Sequence, residues 1–289
     1  MPVIAMTREM GSLGKDVGAA VSARLGKPLV HHEIIDPLAN KMRLRKSHVI
    51  RFLDGKANIW ERLTTDKTSL SIFTADETVK LVEGGDVAVI RGWGSAHLLR
   101  RIPHVICVRV CAPLSLRTQR MMERLNTDDR DFVVNEIKLS EEAHGAITRR
   151  HFGINWQDPE QYDLVLNTER LSIDECADEV MGLAEDAQFQ ETAQSRQMLA
   201  DLALETHVRA ALRADPRTAK MRISIDCDQG RVTLGGIVDS GLEPGDASKV
   251  AAAVPGVKKV FLAFGTAQEQ YLNALNSEMR DRGRPPKQR

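Results

Sequence analysis

Between an apolar opening stretch and a helical pattern, the chain reads Glu9-Met10-Gly11-Ser12-Leu13-Gly14-Lys15-Asp16. Small residues let successive backbone amides curl round an anion. A helix N-terminus behind them adds a favourable dipole, and a lysine brings a point charge to terminal phosphate oxygens. Against the phosphate-loop pattern G-x-x-x-x-G-K-[ST], Gly14 and Lys15 fit, Glu9 replaces the first glycine, and Asp16 replaces the magnesium-holding hydroxyl. Gly11, Ser12, Gly14 and Lys15 are therefore candidates to hold a phosphate, the plain alternative being a strand-to-helix turn with a solvated lysine. Other chemistries find less support. His31, His32 and His151 have no second ligand pair at i, i+4 spacing, so no metal site is expected. Cys107, Cys111, Cys176 and Cys227 form no CxxC pair, which predicts reduced thiols rather than a disulfide framework or zinc site. Cys107 and Cys111 would share one face of a strand. No Ser/His/Asp nucleophile pattern stands out.

The elements that must position this loop follow from periodicity. Residues 2–7 form a short apolar run, and VGAAVSARLG reads as a helix stopped at Gly26, giving a phosphate-binding βα unit. LVHH predicts a second short strand. Residues 33–83 carry apolar spacing for three or four helices, the last stopped by Gly84-Gly85. Val87-Ala88-Val89-Ile90 and HVICVRVC (104–111) are continuous apolar runs, as in strands buried on both faces of a parallel sheet. Pro113 opens a helix, residues 129–152 read as a long polar helix, and DLVLNT (163–168) is a further strand. Ser172 caps the next helix. Strands alternating with helices predict an α/β fold with a mostly parallel sheet.

The order changes after a polar, Gln-rich connector, EDAQFQETAQSRQ. Helix, two strands joined around Gln229-Gly230, helix and strand follow, an α-β-β-α-β arrangement typical of a small separate α+β domain. Ile223, Ile225, Val232 and Leu234 alternate at strand period, so one sheet face should pack on the helices. The expected division is 1–186, a linker at 187–199, a small domain at 200–265, and a helix with a basic tail at 266–289. With 289 residues, two domains match the prior of roughly 150 residues each. Forty basic residues balance forty acidic ones, which argues against a protein built to coat nucleic acid. Aromatics at 4% leave few stacking platforms for bases. No apolar run approaches the roughly 20 residues a bilayer requires. The first fifteen residues lack the apolar core of a signal peptide. A soluble, cytoplasmic protein is expected.

The stretch TREMGSLGKDVGAAVSARLGKPLVHHEII resembles the opening of the cytidylate kinase-like family, a branch of the P-loop nucleoside monophosphate kinases. That family typically reads S-R-E-x-G-S-G-G-R, a helix, then L-x-D-x-E-I-I. VIRGWG is similar to its V-I-x-G-R-G, and RRHFGINWQDPEQYDLVLNTERLSIDE to its closing stretch. The resemblance covers residues 3–182 and implies a P-loop kinase-like parallel sheet with flanking helices. By resemblance, Gly11, Ser12, Gly14, Lys15 and Asp16 would hold ATP, with Mg²⁺. Arg8 and Glu9 stand at the Arg-Glu pair, and Arg149 and Arg150 would belong to a catalytic lid. Glu33, Arg91, Asp163 and Asn167 would face the acceptor. There are four departures, several of which remove or move a charge: Trp93 for the arginine of G-R-G, Glu141 and His144 for the lid's Asp and Arg, and His31 for the acceptor-side Asp.

Residues 200–265 resemble a BON domain through V-x-x-A-L, G-x-V-T-L-x-G-x-V and V-x-G-V-x-x-V. Such domains imply binding of a lipid, another hydrophobic ligand or a protein partner. The expected function is transfer of the ATP γ-phosphate to a nucleoside monophosphate, CMP or dCMP. The alternative is a nucleotide-binding regulatory protein without turnover, whose BON-like domain senses a ligand or partner. No specific nucleic-acid partner is expected, and the sequence leaves oligomeric state open.

Overall fold

The computed structural model describes residues 1–31, 33–53, 65–92, 94–237 and 243–265. The chain divides into two compact units, Met1–Leu199 and from Ala200 onward. In the first unit, strands β1 (Val3–Arg8), β2 (Leu29–Val30), β3 (Val89–Arg91), β4 (Val105–Cys111) and β5 (Leu164–Asn167) form one sheet in the order β2-β3-β1-β4-β5. Every pairing is parallel. The apolar runs become strands because helices cover both faces: Ile4, Met6, Ile106 and Val108 are fully buried. They share a core with Val17 and Val21 of α1 (Gly14–Leu25) and with Cys176, Ala177 and Val180 of the helix Ile173–Glu185. Each buried Ile, Val or Met among them contributes roughly 1.5–3 kcal/mol by leaving water.

Between β2 and β3 the described helices are α2 (Ile35–Met42), α3 (Lys46–Leu53) and α4 (Lys67–Glu83); residues 54–64 lie outside the described residues. A short helix α5 (Ser95–Leu99) precedes β4, and α6 (Leu114–Leu125) and the long α7 (Arg130–Phe152) follow it. Pro113 sits at the N-cap of α6 rather than inside its first turn. Asp129 caps α7 by accepting from the Phe132 amide. Ser172 and Glu175 form a reciprocal capping box on α8 (Ile173–Glu185).

The polar connector is more ordered than a linker. A 3₁₀ turn spans Ala187–Phe189 and helix α9 runs Ala193–Ala214. Glu191 accepts from the Met1 ammonium at 2.9 Å, and Ser195 Oγ lies 2.8 Å from His104 Nδ1, so this stretch belongs to the first unit.

In the second unit β6 (Arg222–Asp228), β7 (Arg231–Ile237) and β8 (Lys259–Gly265) form a sheet in that order. The first pair is antiparallel and the second parallel. Gln229 and Gly230, at φ +52° and +85°, make the left-handed turn that joins the hairpin. Ile225, Val232 and Leu234 pack against Leu204, Val208 and Leu212 of α9 and Ala247 and Ala251 of α10 (Pro244–Ala252), as the alternation requires.

Candidate functional site

The loop after β1 is shaped by what lies behind it. Gly11 has φ +82°, and a Cβ there would come within 2.8 Å of the Arg117 carbonyl oxygen. A Cβ on Gly14 would meet the Arg8 Cβ at 2.6 Å, so both positions demand glycine. Every carbonyl from residue 9 to 13 accepts a hydrogen bond. The Glu9 oxygen accepts from the Ser12 amide, Met10 from Arg117 Nη1, Gly11 from Arg120 Nη1, Ser12 from Thr168 Oγ1, and Leu13 from the Asp16 and Val17 amides. The amides of Leu13, Gly14 and Lys15 donate to no carbonyl among the described residues. They stand at the N-terminus of α1, where the helix dipole favours an anion. Ser12 serves differently from its expected role: its buried hydroxyl lies between the carbonyls of Glu9 (2.8 Å) and Val110 (3.0 Å) and donates there.

Glu9 is not a degenerate glycine but a buried anchor. Its carboxylate accepts from Arg109 Nη2 at 2.6 Å and the Ala112 amide at 3.2 Å, and lies 3.3 Å from Arg117 Nε. Arg109 also reaches the Gln157 carbonyl and stacks 5.3 Å from the Trp156 ring.

In front of the loop lies a cleft of about 880 Å³. It brings together Arg8, Gly11, Gly14, Lys15, Asp16, Glu33 and Arg91 from the sequence reading. It also takes in His31, whose Nδ1–H donates to the Arg91 carbonyl at 3.1 Å, and Arg120 and Arg124, which sequence reasoning missed. Arg117, Arg120 and Arg124 recur at i, i+3 and i+7 on α6, a spacing that puts them on one helix face.

Other expected residues lie elsewhere. Arg149 borders a separate hollow of about 230 Å³ with Lys138, Glu141 and Trp156. The Arg150 side chain and Trp93 lie outside the described residues. Asp163 precedes β5 at the amino end of that strand, and its carboxylate accepts from the Cys107 amide at 2.7 Å. Cys107 precedes the carboxyl end of β4 by four residues, about 13 Å, so Asp163 is remote from the loop. Asn167 ends β5 on the correct side, but its side chain accepts from the Glu169 amide. His144 packs edge-on against Trp156 at 4.5 Å. Burial, then the nearby His97, Arg8 and Arg109, push its pKa down to about 4, so the imidazole is neutral near pH 7. Burial pushes the Cys107 thiol up to about 12, with the Asp163 charge adding, and the four cysteines are free. Among the described residues no cluster of His, Cys, Asp and Glu could hold a metal without further ligands.

The family model for the cytidylate kinase-like family matches residues 3–170, more than half of the chain. The chain belongs to the cytidylate kinase-like family. A BON domain matches residues 200–261. A curated cytidylate kinase from Methanothermobacter thermautotrophicus is 28% identical over 111 residues, 38% of this chain. The chain spans 66% of that relative's length. A solved structure of an uncharacterized protein from Eubacterium ventriosum covers 64% of this chain and 99% of its own, at 19% identity and TM-score 0.51, which supports the fold. A shikimate kinase from Acinetobacter baumannii in complex with shikimate covers 63% and 92% at 14% identity and TM-score 0.39.

Proposed function

We propose that the first unit transfers the γ-phosphate of ATP to a nucleoside monophosphate, CMP or dCMP, giving ADP and a nucleoside diphosphate. The observation that carries this reading is that Leu13, Gly14 and Lys15, whose amides donate to no carbonyl among the described residues, line one cleft with Arg8, Arg91, His31 and Glu33. The amides and Lys15 suit donor phosphates, and positioning with charge neutralisation is most of the catalysis that phosphoryl transfer needs. The cleft's carboxylates Asp16 and Glu33 are hard oxygen donors of the kind that hold Mg²⁺ together with phosphates and water. When bound, Mg²⁺ supplies neutralisation of charge on the donor phosphate oxygens. Arg149 and Arg150, from the long helix, would complete the lid.

His144, held neutral near pH 7, and Arg149, which lines a separate hollow, favour a second reading, nucleotide binding without turnover, with the BON domain sensing a lipid, hydrophobic ligand or protein partner. No helix among the described residues is long and apolar enough to cross a membrane. A coupled ADP-release assay with ATP–Mg²⁺ and each nucleoside monophosphate separates the readings. Turnover with CMP or dCMP supports the kinase; ATP binding without turnover on any monophosphate supports the sensor. Lys15→Ala should weaken ATP binding by about 1.5–3 kcal/mol with the fold intact, and unchanged affinity would remove both readings.

A further inference from the structure

Arg117 connects the glycine loop to the long helix. Its Nε donates to the Ala112 carbonyl at 2.8 Å and lies 3.3 Å from Glu9 Oε2. Its Nη1 donates to the Met10 carbonyl at 3.2 Å and to Glu141 Oε1 at 2.6 Å. The same residue's backbone forms the floor under Gly11. Arg117 is 7% exposed at the side chain, so its charge needs compensation from within the protein. Glu9 is shared with Arg109, and Glu141 is the second acid that balances the pair of buried guanidiniums. Glu141 is on α7, and it does not line the cleft; it points back to the underside of the loop.

We propose that Glu141 is a positioning residue for the phosphate loop. By fixing Arg117 against the Met10 carbonyl, it couples the posture of the long helix to the amides that face the cleft. This rests on the reading of the loop as a donor-phosphate cradle. Glu141 does not line the cleft, so its effect on the loop passes through Arg117. The loop arrangement is then sensitive to whatever moves α7.

The test measures ATP affinity by calorimetry, KM for ATP and the melting midpoint on the full chain. Glu141→Gln should weaken ATP binding about tenfold, the scale of one charge-assisted hydrogen bond. KM for ATP should rise in step while KM for the acceptor stays unchanged. Glu141→Asp, which keeps the charge but draws it back by one methylene, should fall between Gln and wild type. Glu142→Ala, one residue on, should change nothing. Wild-type ATP affinity in a folded Gln or Asp variant, with only a lower melting midpoint, would overturn the proposal. Lys15→Ala separates the two ideas. If it binds ATP normally, the cradle reading fails; if it loses ATP while Glu141→Gln does not, only the positioning role falls.

Discussion

The glycine loop and the long helix Arg130–Phe152 treat their polar groups in opposite ways. In the loop, each carbonyl from Glu9 to Leu13 has a donor, and the buried Glu9 is matched by Arg109 and Arg117. On the helix, His144 Nε2 is buried without a hydrogen-bond partner, Arg149 borders its own hollow, and Glu141 turns back toward the loop. The difference teaches where preorganisation resides. The loop is braced within the protein, as electrostatic stabilisation of the proposed donor phosphates would require. The helix side carries no such bracing toward the cleft: Arg149 lines a hollow of its own.

The contrast breaks most easily at Glu9. Glu9→Ala leaves two buried guanidiniums with one remaining acid and should destabilise the first unit by about 3–5 kcal/mol in urea denaturation. A loss below about 1 kcal/mol would mean that the loop does not depend on its buried anchor.

The helix side is probed by pH. Burial holds His144 and His97 at about 4, with the Arg100 charge adding at His97. In the unfolded chain both return to 6.5, so as pH falls below that value the unfolded state takes up protons first. Stability is therefore full above 6.5 and is lost as pH falls toward 4, at up to about 1.4 kcal/mol per pH unit for each histidine. Melting midpoints measured between neutral and acid pH should decline across that window. A flat profile would mean that these imidazoles are not held neutral by burial.

The smallest effect sharpens the comparison. Arg149→Ala should change ATP affinity by less than about twofold, within the range of surface substitutions away from a bound ligand. An effect as large as that of Lys15→Ala would place the helix beside the donor in the resting protein.

Much of this was legible in the sequence for reasons that are local. The βα unit, the Gly26 stop, the Ser172 cap and the alternation in β6 and β7 depend on neighbours within a few residues, and each took its expected place. Asp163 precedes its strand, and in an all-parallel sheet chain direction alone puts it at the amino edge, away from the loop. Glu9 was taken as a loop residue because its partners, Arg109 and Arg117, are about a hundred residues away. The signal was present in HVICVRVC, where an arginine inside a run buried on both faces requires a buried acid somewhere. Arg120 and Arg124 were legible as a helical stripe, but their direction depends on how α6 packs.

Thr168 fixes the back of the loop through its hydroxyl to the Ser12 carbonyl, a contact that spans 156 residues of chain. The ribosome therefore delivers the two halves of this contact far apart in time. At about 5–20 residues per second, the glycine loop waits roughly 8–30 seconds for its rear support. A nascent chain that stops short of Thr168 holds the complete glycine motif but not the contacts that turn its amides outward. The loop's final shape is then completed only late, once the last strand of the sheet has been made.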